Sequence, residues 1–280
     1  MVYYKLAMNK RNKNQASPVI NSVLLFFLSY CLGVLLHCMI HELGHVFAIW
    51  MQGGTMTGFY FHPFNSCLNS STYVPNHILL YAGGAFLGLP FTIVFMIIAL
   101  KYRSPVMFPF IVTGSFGFLH TGIWMIKAIA SPETATDYTY MIELGTPGLI
   151  IFIAGVLYIL FGVFSRIYFL PLAGIDHKVK LRTRIAIYLL GIIPWYILHG
   201  LYNIAFNNST LIILAIIILP ELVYALTEAG ISLPLQRKTK FFRKIESKSI
   251  KNRHFIIIII AALLLYLIAA VTNALFYFKP

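Results

Sequence analysis

The chain has 280 residues, of which 59% are hydrophobic and only 10% are charged, and its mean hydropathy is +0.82. Soluble globular proteins carry about 25% charged residues, so this composition excludes an ordinary soluble domain and is typical of a polytopic membrane protein. The net charge of +13 could indicate a nucleic-acid-binding protein, but the basic residues lie in short clusters between apolar runs. Because basic clusters so placed are typical of the signals that orient membrane helices, no nucleic-acid partner is expected.

The apolar runs predict an all-α polytopic membrane protein with about seven transmembrane helices, preceded by a polar, basic tail at residues 1–17. The predicted spans are 18–50, 78–100, 106–130, 148–170, 184–206, 210–229 and 255–277. After the first span, residues 55–77 alternate short β-prone pieces with turn residues. This pattern predicts a hairpin-like or re-entrant loop next to the end of the first helix.

The Lys and Arg residues predict how these spans are oriented. Four segments, 1–17, 101–103, 166–184 and 237–253, hold 4, 2, 5 and 8 of the 21 Lys and Arg, so 19 fall on one side of a seven-span arrangement. The positive-inside rule then predicts a cytoplasmic N-terminus and an extracytoplasmic C-terminus. The outer end of the first helix is therefore expected near the extracytoplasmic face.

A candidate metal site lies in the last third of the first span, in the sequence His41-Glu42-Leu43-Gly44-His45. On an α-helix His41 and His45 lie one turn apart on the same face, so both imidazoles can bind one ion. A carboxylate at Glu42 can take the proton from a zinc-bound water, whose pKa zinc lowers to about 7. The HExxH pattern therefore predicts a zinc hydrolase with Glu42 as general base.

A catalytic zinc site needs a third protein ligand, and the chain has only two aspartates. Asp137 and Asp176 each follow a proline by five residues, so the local sequence does not separate them. In the seven-span arrangement Asp137 reaches the face that carries the histidines, whereas Asp176 lies in a basic cytoplasmic loop, roughly 30 Å away across the membrane. The topology therefore favours Asp137, and Asp176 is the alternative.

The order of these features resembles the site-2 protease family of intramembrane zinc metalloproteases, over about residues 20–147. The shared features are HExxH late in one transmembrane helix, a Gly-rich hairpin-prone loop, a small-residue span and a Pro-x4-Asp near the end of the next span. The family's Asp motif typically reads Asn-x-x-Pro-x4-Asp-Gly; here Ile129 stands at the Asn position and Tyr138 at the Gly position. The resemblance implies that His41, His45 and Asp137 bind Zn²⁺.

The resemblance also implies hydrolysis of peptide bonds in membrane-associated or transmembrane substrates. Residues 18–147 would then form the catalytic membrane core, and residues 148–280 an accessory set of four helices. The basic residues, rather than the resemblance, predict that the site lies towards the extracytoplasmic face. Two alternatives remain. One is a zinc-dependent membrane hydrolase of a lipid or another non-peptide amide. The other is a non-catalytic transporter or substrate-binding pseudoprotease, for which retention of Glu42 would have no use.

Among the other polar residues within the apolar runs, four are candidates for a functional role: His37, His120, His199 and Glu221. His37 precedes His41 by one helical turn and is either an additional ligand or a hydrogen-bonded packing residue. The same two readings apply to His120 and His199. Glu221 is either part of a proton path or a protonated carboxyl that bonds backbone freed by the preceding proline.

Overall fold

A computed structural model describes residues 2–62, 65–71, 74–132, 136–206, 211–247 and 249–276. Only the backbone is described at 2–17, 56–62, 65–71, 199–206 except 201, 211–225 except 223, and 273–276. Within these limits the chain forms eight α-helices and two strands. In chain order they are α1 (Val2–Met51), β1 (Met56–His62), β2 (Asn65–Ser71), α2 (His77–Tyr102), α3 (Phe108–Ala130), α4 (Asp137–Glu143), α5 (Gly148–Phe169), α6 (Leu181–Phe206), α7 (Leu211–Lys238) and α8 (Asn252–Phe276).

Six stretches of the described residues are long and apolar enough to cross a membrane. They are Pro18–Met51, His77–Tyr102, Pro105–Ala130, Gly148–Ala173, Leu181–Leu198 and Asn252–Thr272. A predominantly helical, multi-pass membrane protein, as the composition predicts, is therefore confirmed. The expected span at 210–229 lies on α7, where most side chains are outside the description, so the number seven stays a prediction.

Helix α8 illustrates why these helices need lipid around them. The span from Asn252 to Thr272 has a mean hydropathy of 3.0, and only 11% of it is buried within the protein. Large apolar side chains such as Ile256, Leu263 and Leu267 are exposed. A helix that is apolar on all sides and uncovered by protein is stable in a bilayer, whereas in water it would present an extended hydrophobic surface.

Two consecutive glycines end α1 and start the hairpin. Gly53 has φ +73°, the left-handed conformation that glycine adopts without steric cost. Its N–H donates to Trp50 O at 3.0 Å, and the Gly54 N–H donates to Ile49 O at 3.0 Å, which is the Schellman pattern of a helix C-terminus. Strands β1 and β2 then pair antiparallel within the 55–77 segment where the sequence predicts a hairpin.

The helices group into two compact units, each assembled from non-consecutive segments. One comprises residues 32–101, 110–166 and 260–280, and the other residues 1–31, 102–109 and 167–259. This grouping reflects proximity in space and does not test the functional division expected at residue 147. Residues 2–17, expected as a basic tail, form the first turns of α1.

In the first of these units, small residues bring the helices into backbone contact. A Cβ added to Gly44 of α1 would lie 2.2 Å from the Gly83 carbonyl oxygen of α2. Similarly, a Cβ on Gly122 of α3 would lie 2.6 Å from the Gly155 oxygen of α5. Membrane helices associate closely through such small-residue contacts, because lipid supplies no hydrophobic drive for their association.

The second unit is joined by buried polar side chains between α6 and α7. Arg184 is fully buried and donates to Ser232 Oγ at 2.9 Å, to Gln236 Oε1 at 2.6 Å and to backbone carbonyls that include that of Asp176. Because a guanidinium in an apolar segment needs partners for its N–H groups, these bonds hold α6 and α7 in one register.

Candidate metal centre

Helix α1 brings two imidazoles together, as the i, i+4 spacing predicts. The ring centroids of His41 and His45 lie 4.8 Å apart, and their Nε2 atoms are separated by 3.2 Å. His45 is 5% exposed, whereas the His41 side chain keeps 20% of its surface accessible. The two nitrogen atoms therefore face one another at a site that opens on the His41 side.

A backbone carbonyl on α2 fixes the orientation of His45. The Nδ1 atom lies 2.8 Å from Leu80 O. Since a carbonyl oxygen can only accept, Nδ1 carries the proton, and in the neutral ring the lone pair is on Nε2. Metal-binding histidines are oriented in this way, with the second nitrogen donating to a carbonyl or carboxylate. This contact is not predictable from the sequence, because every residue has a backbone carbonyl and residue types do not indicate which one is nearby.

The contact with α2 is possible because of its small-residue patch. Gly83 lies against Gly44, as described above, and Gly84 lies directly beneath the His41 ring. A Cβ at Gly84 would come within 2.4 Å of the His41 ring. The Gly83-Gly84 pair therefore leaves room both for the backbone contact and for the imidazole that faces the site.

The third group at the site is Asp137, the first residue of the short helix α4. Thr136 caps this helix, because its Oγ1 accepts the Thr139 N–H at 3.1 Å. The Asp137 Oδ2 atom lies 3.5 Å from His41 Nε2 and 3.4 Å from His45 Nε2. The structure thus brings Asp137 to both histidines, as the predicted topology and the family resemblance favoured.

Three donor atoms consequently form a nearly equilateral triangle, with sides of 3.2, 3.4 and 3.5 Å. Zinc bonds of roughly 2.0–2.1 Å in tetrahedral geometry require ligand atoms about 3.3–3.4 Å apart, so the spacing of these three atoms fits one zinc ion. Glu42, a residue 8% exposed, has a carboxylate oxygen within 4.8 Å of one ring nitrogen of each of the two histidines. By this proximity, Glu42 is close enough to act either as a base beside a bound ion or as a further ligand.

The charge state of Asp137 also suits metal binding. Burial by itself would raise the pKa of this carboxyl, but hydrogen bonds and charge attraction from His41 and His45, which act when the imidazoles are protonated and no metal is bound, outweigh it. The pKa of Asp137 therefore lies well below its ordinary value. Because metal ligands must be deprotonated, a carboxylate held in its ionised form is the required species.

The alternative aspartate, Asp176, belongs to the other unit and has a local role there. Its Oδ1 accepts the Lys178 N–H at 2.8 Å, and its backbone carbonyl accepts from Arg184. The carboxylate closes the turn that precedes α6, and the carbonyl belongs to the polar network of Arg184. These contacts account for Asp176 without a metal.

His37 and His120 lie beside the centre. The His37 ring centroid is 5.9 Å from those of His41 and His120. His37 also lines a cavity of about 20 Å³ with Thr121 and Tyr158, enough room for a single water. His120 Nε2 accepts from the Trp124 indole N–H at 2.8 Å, so this nitrogen is engaged in packing. The side chains of His199 and Glu221 lie outside the described residues.

No protein-family model matches the chain, and comparison with curated proteins and with solved structures gives no match. The resemblance to site-2 proteases therefore stays a prediction from the HExxH motif and the order of features along the chain.

Proposed function

We propose that this protein is a membrane-embedded zinc endopeptidase that resembles the site-2 proteases. Its substrates would be membrane proteins or membrane-associated peptides. The observation that carries the proposal is the triangle formed by His41 Nε2, His45 Nε2 and Asp137 Oδ2, with edges of 3.2 to 3.5 Å and the Glu42 carboxylate beside it.

The chemistry follows from the residues around that triangle. A zinc ion held by His41, His45 and Asp137 would polarise the scissile carbonyl and lower the pKa of a bound water. Glu42 would accept the proton of the attacking water and then donate it to the departing amine, so the peptide C–N bond breaks without a further acid. Retention of this base favours a hydrolase over a protein that only binds substrates.

The hairpin after α1 gives a means of holding an extended peptide. Strands β1 and β2 form a sheet of two strands within the described residues, so each strand keeps one edge that does not face the other. A peptide added along such an edge is held by main-chain hydrogen bonds, which depend little on its sequence. The hairpin begins five residues after Met51 ends the helix that carries the motif, which favours a peptide substrate over a lipid amide.

The experiment that tests the proposal combines metal analysis with two substrate classes. Purified wild-type protein should contain about one zinc per chain and cleave a quenched fluorescent peptide, whereas His45→Ala should lose both properties. A fluorogenic lipid amide assayed on the same samples separates the two classes of hydrolase. Zinc binding with cleavage of the lipid amide alone would reject the peptidase and leave the metal centre intact. Absence of zinc from the wild type would reject both.

A further inference from the structure

A second candidate site lies far along the chain from the HELGH motif, at the start of α8. A cleft of about 340 Å³ is lined by Ser104, Pro105, Ser249, Lys251, Arg253 and His254. Its volume is within the range of small-ligand pockets, roughly 300–1,000 Å³. All of these residues belong to one compact unit, which does not contain the proposed metal ligands. The cleft is therefore a separate feature of the protein.

The cleft is positively charged. Lys251 and Arg253 come from the basic 237–253 segment, and both side chains are exposed. Within the described part of the chain, neither has a carboxylate partner, and the cleft lining includes no acidic residue. Two cations beside an unfilled cleft, with no internal counter-charge, attract an anion.

A buried histidine adds a directed donor. His254, in the first turn of α8, is only 7% exposed. Its Nδ1 accepts the Lys251 N–H at 3.0 Å, so this side chain satisfies a backbone donor at the N-terminus of the helix. The proton of the neutral imidazole is then on Nε2. This atom has no protein partner in the described residues, and its ring lines the cleft. The N–H is thus available to an acceptor bound there.

We propose that this cleft binds a phosphate group, in particular that of an anionic lipid headgroup. The lining offers two cations, the His254 N–H and the hydroxyls of Ser104 and Ser249, a set of donors that matches the several acceptor oxygens of a phosphate.

The position in the chain favours a lipid as the source. Helix α8, which starts at the cleft, exposes apolar side chains along its length, and the basic segment before it is predicted to face the cytoplasm. The junction of such a segment with a lipid-exposed helix lies at headgroup depth, and basic pockets there bind acidic lipids. A free phosphate ion shares the chemistry and is distinguished by experiment.

The test uses full-length protein in a maltoside detergent, in buffer without phosphate. Thermal unfolding is followed while short-chain phosphatidylglycerol, short-chain phosphatidylcholine or inorganic phosphate is added. We expect a saturable rise in Tm with phosphatidylglycerol, and an affinity lower by about tenfold or more in Lys251→Gln/Arg253→Gln, since charge-assisted hydrogen bonds are lost. Both side chains are exposed, and the Tm without ligand verifies that the variant folds.

A matched variant controls for general charge. Lys240→Gln/Arg243→Gln removes the same two charges from the same basic segment at exposed residues outside the cleft lining, and it should bind like the wild type. Inorganic phosphate is the other possible ligand. If it gives a saturable rise in Tm that is lost in Lys251→Gln/Arg253→Gln but kept in Lys240→Gln/Arg243→Gln, the cleft binds phosphate and the ligand is the free ion. Equal losses in the two double variants, equal binding of phosphatidylcholine, or no saturation with any probe would overturn the proposal.

Discussion

The atoms of His45 show how much of the candidate centre depends on single contacts. One ring nitrogen donates to Leu80 O at 2.8 Å, and this leaves the other facing His41 at 3.2 Å. Asp137 contacts both imidazoles through a single oxygen, Oδ2. The proposed roles at this centre are therefore distinct, and substitutions can separate them. They are orientation of a ligand, binding of the metal and transfer of a proton.

Substituting Glu42 should separate catalysis from metal binding. The amide of Glu42→Gln keeps the shape of the side chain but does not accept a proton from water, so hydrolysis should fall by about 10²-fold or more. Zinc content should stay at the wild-type level, because the three proposed ligands are untouched. The measurement is a quenched-peptide assay beside metal analysis of the same preparation. Full turnover by the variant would contradict the role assigned to Glu42.

The two aspartates give a direct comparison of ligand assignments. Asp137→Ala removes the carboxylate oxygen that lies 3.4–3.5 Å from Nε2 of both histidines, so zinc content should drop severely. Asp176→Ala loses the bond to the Lys178 N–H and should retain zinc, since its contacts are local. Metal analysis of the two purified variants decides between them, and the reverse pattern would show that the third ligand is Asp176.

At the scale of elements, the centre depends on how closely α1 and α2 approach. Gly44 and Gly83 are in backbone contact, and Gly84 lies beneath His41. The position of α4 is set by its packing, since Tyr138 and Met141 are buried in one apolar cluster with Ala82 and Ala85 of α2. The helix that carries Asp137 is therefore held against the same small-residue patch that accommodates the histidines.

A methyl group added to α2 tests this arrangement. The Cβ of Gly84→Ala would meet the His41 ring at 2.4 Å, so the imidazole has to move away from its partners. We expect zinc affinity to fall by about tenfold or more, as for other changes that misorient a metal ligand. Gly88→Ala, one turn later with open space around its Cβ, is the control and should bind zinc normally. The zinc affinity of each protein is measured by competition with a chelator. Equal zinc affinities of Gly84→Ala and the wild type would show that His41 does not need the space above Gly84.

At the scale of the whole molecule, the distribution of charge and apolar surface predicts orientation. Nineteen of the 21 basic residues fall on one side of a seven-span arrangement, and both segments of the candidate metal centre fall on the other. Because basic residues in short loops are retained in the cytoplasm, the centre is predicted to open to the extracytoplasmic side, or to the lumen of an internal membrane.

Single cysteines test that orientation in intact cells. In a background without Cys31, Cys38 and Cys67, cysteines at Asn69 and Asn208 should react with an impermeant thiol reagent, whereas one at Ser247 should react only after the membrane is opened. The first two positions lie in predicted outer loops and the third in the basic segment at 237–253. Labelling of Ser247 alone in intact cells would invert the topology and bring the metal centre to the cytoplasmic face.

The sequence by itself determined the features that depend on near neighbours in the chain. The apolar runs specify helices in a membrane because each span satisfies its own backbone hydrogen bonds, whatever surrounds it. The pairing of His41 with His45 follows from helical periodicity alone, and the two glycines after α1 predict where that helix ends.

Only the tertiary structure decided which distant groups join the histidines. Asp137 and Asp176 have the same local pattern, so their difference lies in the elements that carry them: the Thr136 cap and the packing of α4 bring one to the centre, whereas the other closes a turn before α6. The contact of His45 with the Leu80 carbonyl likewise could not be predicted from the sequence. Every residue has a backbone carbonyl, and only the close approach of α2 brings this one to His45. Contacts between segments far apart in the chain depend on how helices pack, and residue types along one segment do not specify that packing.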